Sequence, residues 1–266
     1  MMDDLPDAVS GSGGGSPASV QDDPRFAASA DSAFASKGDR TRSAILDQAT
    51  SIASRLGLEG LTIGTLADAT GMSKSGLFAH FGSREELQLA VLVHGAQRFA
   101  ENVAAPAFTV ARGLPRLRSI FEHWMDWTGA AGLPGGCVLI AAAHEYDDRP
   151  GTIRDAVADT QRRGLAMLEK TVALAIEEGH LRADTDVQQL VFEIFGNLLV
   201  FHHHRRLLGD NAAKRRALAA FDEQVARYAP VTARRASTKA SRKSGDKSGG
   251  TAGKVARRSA ATSRNK

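Results

Sequence analysis

The stretch "GMSKSGLFAHFGSREEL" occupies residues 71–87 and decides how the rest of the chain is read. Gly71 makes a turn, Ser73 is a good N-cap for a short helix, and Gly82 ends that helix. Ser83 and Glu86 are spaced as a capping box, opening a longer helix that is expected to run to about Asn102. Leu77 and Phe81 fall on one face and read as inward, held against Ile52, Ile63, Leu66 and Leu87. The opposite face carries Lys74, Ser75, Gly76 and Ala79, small side chains apart from one lysine. Upstream, Thr62 is the N-cap of another short helix running through Leu66 and Ala67 to Thr70. Before it, a helix beginning after Asp39 is expected to bury Ile45, Ala49, Ile52, Ala53 and Leu56 and to stop at Gly57. One helix, two short helices joined by a glycine turn, and a linker helix together spell a helix-turn-helix.

Such a motif lays its second short helix in a DNA major groove about 12 Å wide, so small side chains allow close approach to base edges. Lys74 and Ser75 can donate to bases or phosphates, and His80, Ser83 and Arg84 are placed for backbone phosphates. An ordinary helical hairpin with convenient glycines explains the periodicity equally well. The longer segment "LTIGTLADATGMSKSGLFAHFGSREEL" (61–87), however, closely resembles the DNA-binding segment of the tetracycline-repressor (TetR/AcrR) family of bacterial regulators. Thr62, Leu66, Ala67, Gly71, Met72, Ser73, Leu77, Phe78, His80, Phe81, Ser83, Arg84 and Leu87 fill nearly every fixed position of that pattern, and with the leading helix the likeness covers about 39–90. The resemblance implies a homodimer on a partly palindromic operator, released by a small molecule bound in a second domain. It implies a DNA-facing set of Thr62, Ser73, Lys74, Ser75, Gly76, Phe78, His80, Ser83 and Arg84. The chain departs from the pattern at Phe78, where tyrosine is common, and at Gly64, where some members carry a base-reading arginine.

The remainder reads as all-α. Pro106 and "RGLP" (112–115) mark a break, after which helices are expected at about 114–130, 136–147, 151–179, 186–209 and 211–228. The resulting organisation is an acidic, Gly/Ser-rich disordered segment (1–37), a helix-turn-helix domain with its linker helix (38–103), a helical ligand-binding and dimerisation domain (104–228), and a disordered basic tail (229–266). The net charge of +4 conceals this polarity. Residues 1–36 carry a net −5 and residues 229–266 a net +10, which leaves the body nearly neutral. The tail could add sequence-independent DNA affinity, and a nucleoid-associated protein dominated by that tail is the alternative function. The acidic N-terminus is unlike a signal peptide and no apolar run approaches a membrane span, so a cytoplasmic protein without membrane contact is expected.

The helix at 186–209 carries a broad apolar stripe of Val187, Leu190, Val191, Ile194, Phe195, Leu198, Leu199 and Phe201, and with 211–228 it is the expected dimerisation surface. Phe121, Trp124, Met125, Cys137, His144, Met167 and Phe195 form the candidate ligand pocket, with Trp127, Ile140, Phe192 and Asn197 as further candidates. Each of these is also a plausible core residue, and the aromatic content suggests an apolar or amphipathic effector. His144 and Glu145 are expected to line a cavity or to pair with Arg149 or Arg154. Adjacent helical residues point about 100° apart, so His202, His203 and His204 cannot share one metal ion, and no metal or cofactor is expected. Cys137 is the only cysteine, which leaves no intramolecular disulfide and reads as a small buried residue. No paired carboxylates, nucleophile elbow or phosphate-binding glycine loop appears, so an enzyme has no support.

Overall fold

The computed structural model describes residues 36–129 and 133–230. The expectations for 1–35 and for the tail from 231 onward lie outside the described residues. Every regular element among those described is helical: α1 (Lys37–Gly60), α2 (Ile63–Thr70), α3 (Lys74–Phe81), α4 (Arg84–Phe99), α5 (Ala105–Phe108), α6 (Leu114–Trp127), α7 (Val138–Tyr146), α8 (Thr152–Glu177), α9 (Val187–Arg206) and α10 (Ala213–Arg227). The fold class is therefore as the sequence suggests.

Several boundaries differ from expectation for local reasons. α1 begins two residues before Asp39. Ser36 Oγ accepts the Asp39 N–H, and the Asp39 carboxylate accepts the Ser36 N–H, both at 3.1 Å. This reciprocal cap holds the Asp39 carboxyl below its usual range. At its far end α1 is interrupted at Gly57, as expected. The glycine breaks the helical path (φ 76°, ψ 169°) and one more turn runs to Gly60. Leu56, ahead of the break, lies at the edge of the stripe that Leu46, Ala49, Thr50, Ala53 and Ser54 bury and is 55% exposed, contrary to expectation, while Leu58 just beyond the break is completely buried.

The linker helix also runs further than Asn102. A π turn over Ala100–Ala104 carries α4 directly into α5, where Pro106 sits in the first turn. The wider turn gives the proline ring room that an α-helical turn would deny it. Pro106 thus continues the path, and the break falls at Gly113, with its positive φ of 84° ahead of α6.

Two apolar clusters organise the body from Ile45 onward. One gathers Ile45, Ala53, Leu58, Leu66, Leu77, Phe81, Leu87 and Val91 under the short helices. The other gathers Phe99, Leu117, Phe121, Trp124, Leu168, Ile194, Leu198 and Phe221 among α4, α6, α8, α9 and α10. α7 serves both, sending Val138, Ala142 and Tyr146 into the first cluster and Ile140 into the second, beside Cys137 at its N-terminus.

Candidate nucleic-acid interface and effector core

The two short helices are fixed mainly by hydroxyl caps. Thr62 Oγ1 accepts the Thr65 N–H, and Thr65 Oγ1 returns the bond to the Thr62 N–H, both at 3.0 Å. The complete capping box is thus at α2, where the sequence pattern shows only an N-cap. α2 ends on Gly71 in the left-handed region (φ 68°), whose N–H bonds the Ala67 carbonyl. Ser73 then caps α3 by accepting the Gly76 N–H at 3.1 Å, and its hydroxyl also meets that of Ser75. Ser83 caps α4 by accepting the Glu86 N–H at 3.0 Å.

α3 is held by Leu77 and Phe81, which are buried in the core beneath it. Burying one such side chain is worth about 1.5–3 kcal/mol, so these two anchors contribute about 3–6 kcal/mol toward holding α3 on the domain. Lys74, Ser75, Phe78 and Ala79 face solvent, and Gly76 and His80 are half-buried. Two glycines keep this face low. A Cβ at Gly64 would lie 4.0 Å from Lys74 Cε, placing the lysine stem across the start of α2. A Cβ at Gly76 would press to 3.2 Å on the capping Ser73 Oγ. Phe78 projects from this surface, half-exposed, as an apolar ring.

Arg84 has a different setting from the rest of the residues expected to face DNA. Its guanidinium turns back, with Nε donating to the Leu61 carbonyl at 3.2 Å and Nη2 to the Glu59 carbonyl and carboxylate. It therefore ties the start of α4 to the turn that precedes α2. Glu59 also accepts the Tyr146 hydroxyl at 2.6 Å. That bond first, and the Arg84 bond second, hold the Glu59 carboxyl below its usual range. Burial and the neighbouring Glu59 push the Tyr146 phenol well above its usual range.

Sequence reasoning missed Glu145. It pairs with neither Arg149 nor Arg154. Its carboxylate accepts the N–H groups of Leu58 (2.7 Å) and Glu59 (2.8 Å), 87 and 86 residues away in the chain. Arg149 approaches Glu59 instead, and Arg154 bonds the Asp147 carbonyl and pairs with Asp155. The left-handed break at Gly57 was the available signal, because it frees two consecutive amides for an acceptor.

The candidate pocket residues divide into two groups. Phe121, Trp124, Met125 and Cys137 are buried in the second core, with Met167 and Phe195 half-buried against it. Phe121 stacks on Phe221 (4.6 Å), and Trp124 meets Phe99 edge-on (4.7 Å) and Phe195 at 6.0 Å. Among the described residues no group accepts from the buried Trp124 indole N–H. His144 does not join them. It is exposed on α7, because the inward positions of that short helix are taken by Val138, Ile140, Ala142 and Tyr146. Phe192 is 74% exposed and Asn197 is spent on the Ala217 carbonyl (2.9 Å), so neither lines the core. Burial pushes the Cys137 thiol up, which keeps it protonated. The three consecutive histidines diverge: a Cβ at Gly136 would lie 2.8 Å from His202 Nε2, while His204 approaches Asp210 at 3.4 Å. His203 is exposed.

This arrangement, a capped helix-turn-helix ahead of an aromatic helical core, defines a class of transcriptional regulator. Residues 45–91 match the family model described as bacterial regulatory proteins, tetR family. Residues 113–221 match the model described as tetracyclin repressor-like, C-terminal domain, and the two together cover more than half of the chain. The chain belongs to the tetR family of bacterial regulatory proteins. It is 39% identical over 75 residues to the HTH-type transcriptional repressor AcnR of Corynebacterium efficiens, a match covering 28% of this chain and 40% of that relative's length. A tetR-family regulator from Cytophaga hutchinsonii shares the fold with a TM-score of 0.64 at 19% identity, over 73% of this chain and 98% of that one. AibR, solved with isovaleryl coenzyme A and operator DNA, aligns with a TM-score of 0.55 at 24% identity, over 71% of this chain and 98% of its own. Among the described residues no helix is long and apolar enough to cross a membrane.

Proposed function

We propose that the protein is a sequence-specific transcriptional repressor that binds a palindromic operator as a homodimer and is released by a small apolar effector. The observation that carries this reading is the exposed face of α3. Lys74, Ser75 and Phe78 stand out over Gly64 and Gly76, on a helix anchored from behind by Leu77 and Phe81. A face this slim suits close approach to base edges, with Lys74, His80 and the hydroxyls of Ser73 and Ser83 available to base or phosphate acceptors.

Dimerisation through 186–228 is supported by the outer face of α9. Phe192 and Val200 are exposed there, with Gly196 between them offering open space for a second helix, and Leu207 is exposed just past the helix end. The effector reading rests on the aromatic cluster around Trp124, whose unpartnered N–H favours an apolar molecule carrying one hydrogen-bond acceptor. AibR, a structural neighbour, is solved with both a ligand and operator DNA, which supports the same pairing of roles here.

The test is selection of duplexes from a random-sequence pool by the full-length protein, followed by footprinting at high salt. A repressor of this kind protects one palindromic sequence, and Lys74→Ala and Phe78→Ala weaken that protection. Uniform coating of every duplex would overturn the reading in favour of the architectural alternative. Mapping bound sites across the genome then identifies the adjoining genes, whose chemistry points to the effector.

A further inference from the structure

The turn between α1 and α2 is gripped from two sides, by α4 and by α7. Gly57 leaves the helix at φ 76°, so that the next two amides, those of Leu58 and Glu59, both reach the Glu145 carboxylate. Any Cβ at position 57 would lie 2.8 Å from both carboxylate oxygens, so glycine provides the space as well as the backbone angle. From α4, Gln88 Nε2 donates to the Leu58 carbonyl at 2.6 Å and Arg84 bonds Glu59 and Leu61. From α7, Tyr146 adds its hydroxyl to Glu59. Thr62, which caps α2, follows this turn directly, so the pose of α2 and α3 is set by how the turn is held.

We propose that Glu145 is a positioning residue for DNA recognition: its carboxylate, carried on α7, fixes the Leu58–Glu59 amides and thereby the orientation of the reading helix. This rests on the DNA-binding reading above and adds the element that links the head to the core. The linker helix α4 is not the sole connection. α7 places Ile140 in the aromatic cluster and Glu145 on the turn, five residues apart on one rigid element. A molecule that displaces Ile140 moves the carboxylate with it. Loss of the carboxylate frees the head to sample many poses, and binding then carries an added ordering cost while every phosphate interaction can still form.

The test uses the full-length protein and a duplex selected by the wild type from a random pool. Glu145→Ala is expected to weaken binding by about tenfold, within the usual range of coupling between sites. The factor should be the same at every salt concentration, because releasing one phosphate would instead change the salt slope by about 0.9. Amide hydrogen exchange should accelerate at Leu58 and Glu59 while core amides of α6 and α9 stay protected. Glu145→Gln, which keeps one acceptor oxygen, should fall between wild type and Glu145→Ala. Tyr146→Phe should weaken binding less than Glu145→Ala. Should Glu145→Ala fail to fold, the glutamine and phenylalanine variants carry the test. Unchanged affinity in a folded variant, or affinity reduced only in proportion to the unfolded fraction, would overturn the proposal. If the wild type selects no duplex, the DNA-binding reading fails instead, and exchange at Leu58 and Glu59 still decides whether Glu145 holds the turn.

Discussion

Substituting Gly135 by alanine tests the seating of the loop that leads into α7 on the side of α1. A Cβ at Gly135 would sit 1.5 Å from the Ser54 carbonyl oxygen, 2.0 Å from its carbonyl carbon and 2.6 Å from the Arg55 nitrogen. All three are backbone atoms of α1, so no side chain can swing aside. Restoring ordinary van der Waals separation requires the loop to lift by about 2 Å. That movement breaks the bond from the Gly135 N–H to Ser54 Oγ, which is 3.1 Å long. The broken bond costs about 1 kcal/mol and the forced repacking about 1–3 kcal/mol, for a total of about 2–4 kcal/mol. In a domain of this size that lowers Tm by about 5–15 °C. The control is Gly164→Ala inside α8, where an added Cβ meets nothing within 4 Å. Its gain in helix propensity should stabilise the protein by about 0.5–1 kcal/mol. Thermal unfolding followed by circular dichroism reads both. A Gly135→Ala protein melting with the wild type would refute the close approach, and with it the seating of this loop on α1.

Other outcomes follow from the same interactions. The folded-state pKa of Glu59 is depressed, so its contribution to stability is present above its ordinary value of 4.5 and is lost as pH falls through the depressed one. The Tyr146 pKa is raised from 10.0, so its contribution is present below that value and is lost as pH rises through the raised one. Denaturant titrations of Tyr146→Phe should therefore show a smaller acid loss and no alkaline loss from this pair, and identical profiles would refute the pairing. Gly196→Leu should weaken self-association by about tenfold or more in sedimentation experiments, since the added side chain is inserted twice across a symmetric interface. An unchanged association constant would place the dimer interface elsewhere. Truncation after Pro230 removes eleven lysines and arginines. For each phosphate the tail neutralises, its removal should flatten the slope of log K against log salt by about 0.9, while the selected sequence stays the same. An unchanged slope would refute a DNA-binding tail.

The fold was legible because its local signals are strong and mutually consistent. Ser73, Gly71, Gly82 and Ser83 each act within a few residues of their own position, so the caps and turns of α2, α3 and α4 can be read directly. The inward roles of Leu77 and Phe81 follow from spacing in the same way. Errors arose beside backbone anomalies. Beyond Gly57 the next turn buries Leu58, and the π turn carried the linker helix through Pro106.

The setting of Glu145 was illegible for a different reason. Its partners are backbone amides, which nearly every residue has, so no side-chain pattern near Leu58 marks them as waiting for an acid. Arg149 and Arg154 offered a local partner, and proximity in sequence favoured them. The structure prefers the amides because Gly57 orients two donors toward one carboxylate, and bonds to a charged acceptor are worth more than an exposed ion pair. Arg84 illustrates the same competition from the basic side: a residue placed for phosphate by its spacing spends donors on the Leu61 and Glu59 carbonyls. In both cases a charged side chain holds the backbone turn ahead of α2 and α3. On the proposed reading, substitutions at Glu145 and Arg84 should thus change DNA affinity through the pose of α3, whereas substitutions at Lys74 and Phe78 should change it by removing groups from the proposed interface.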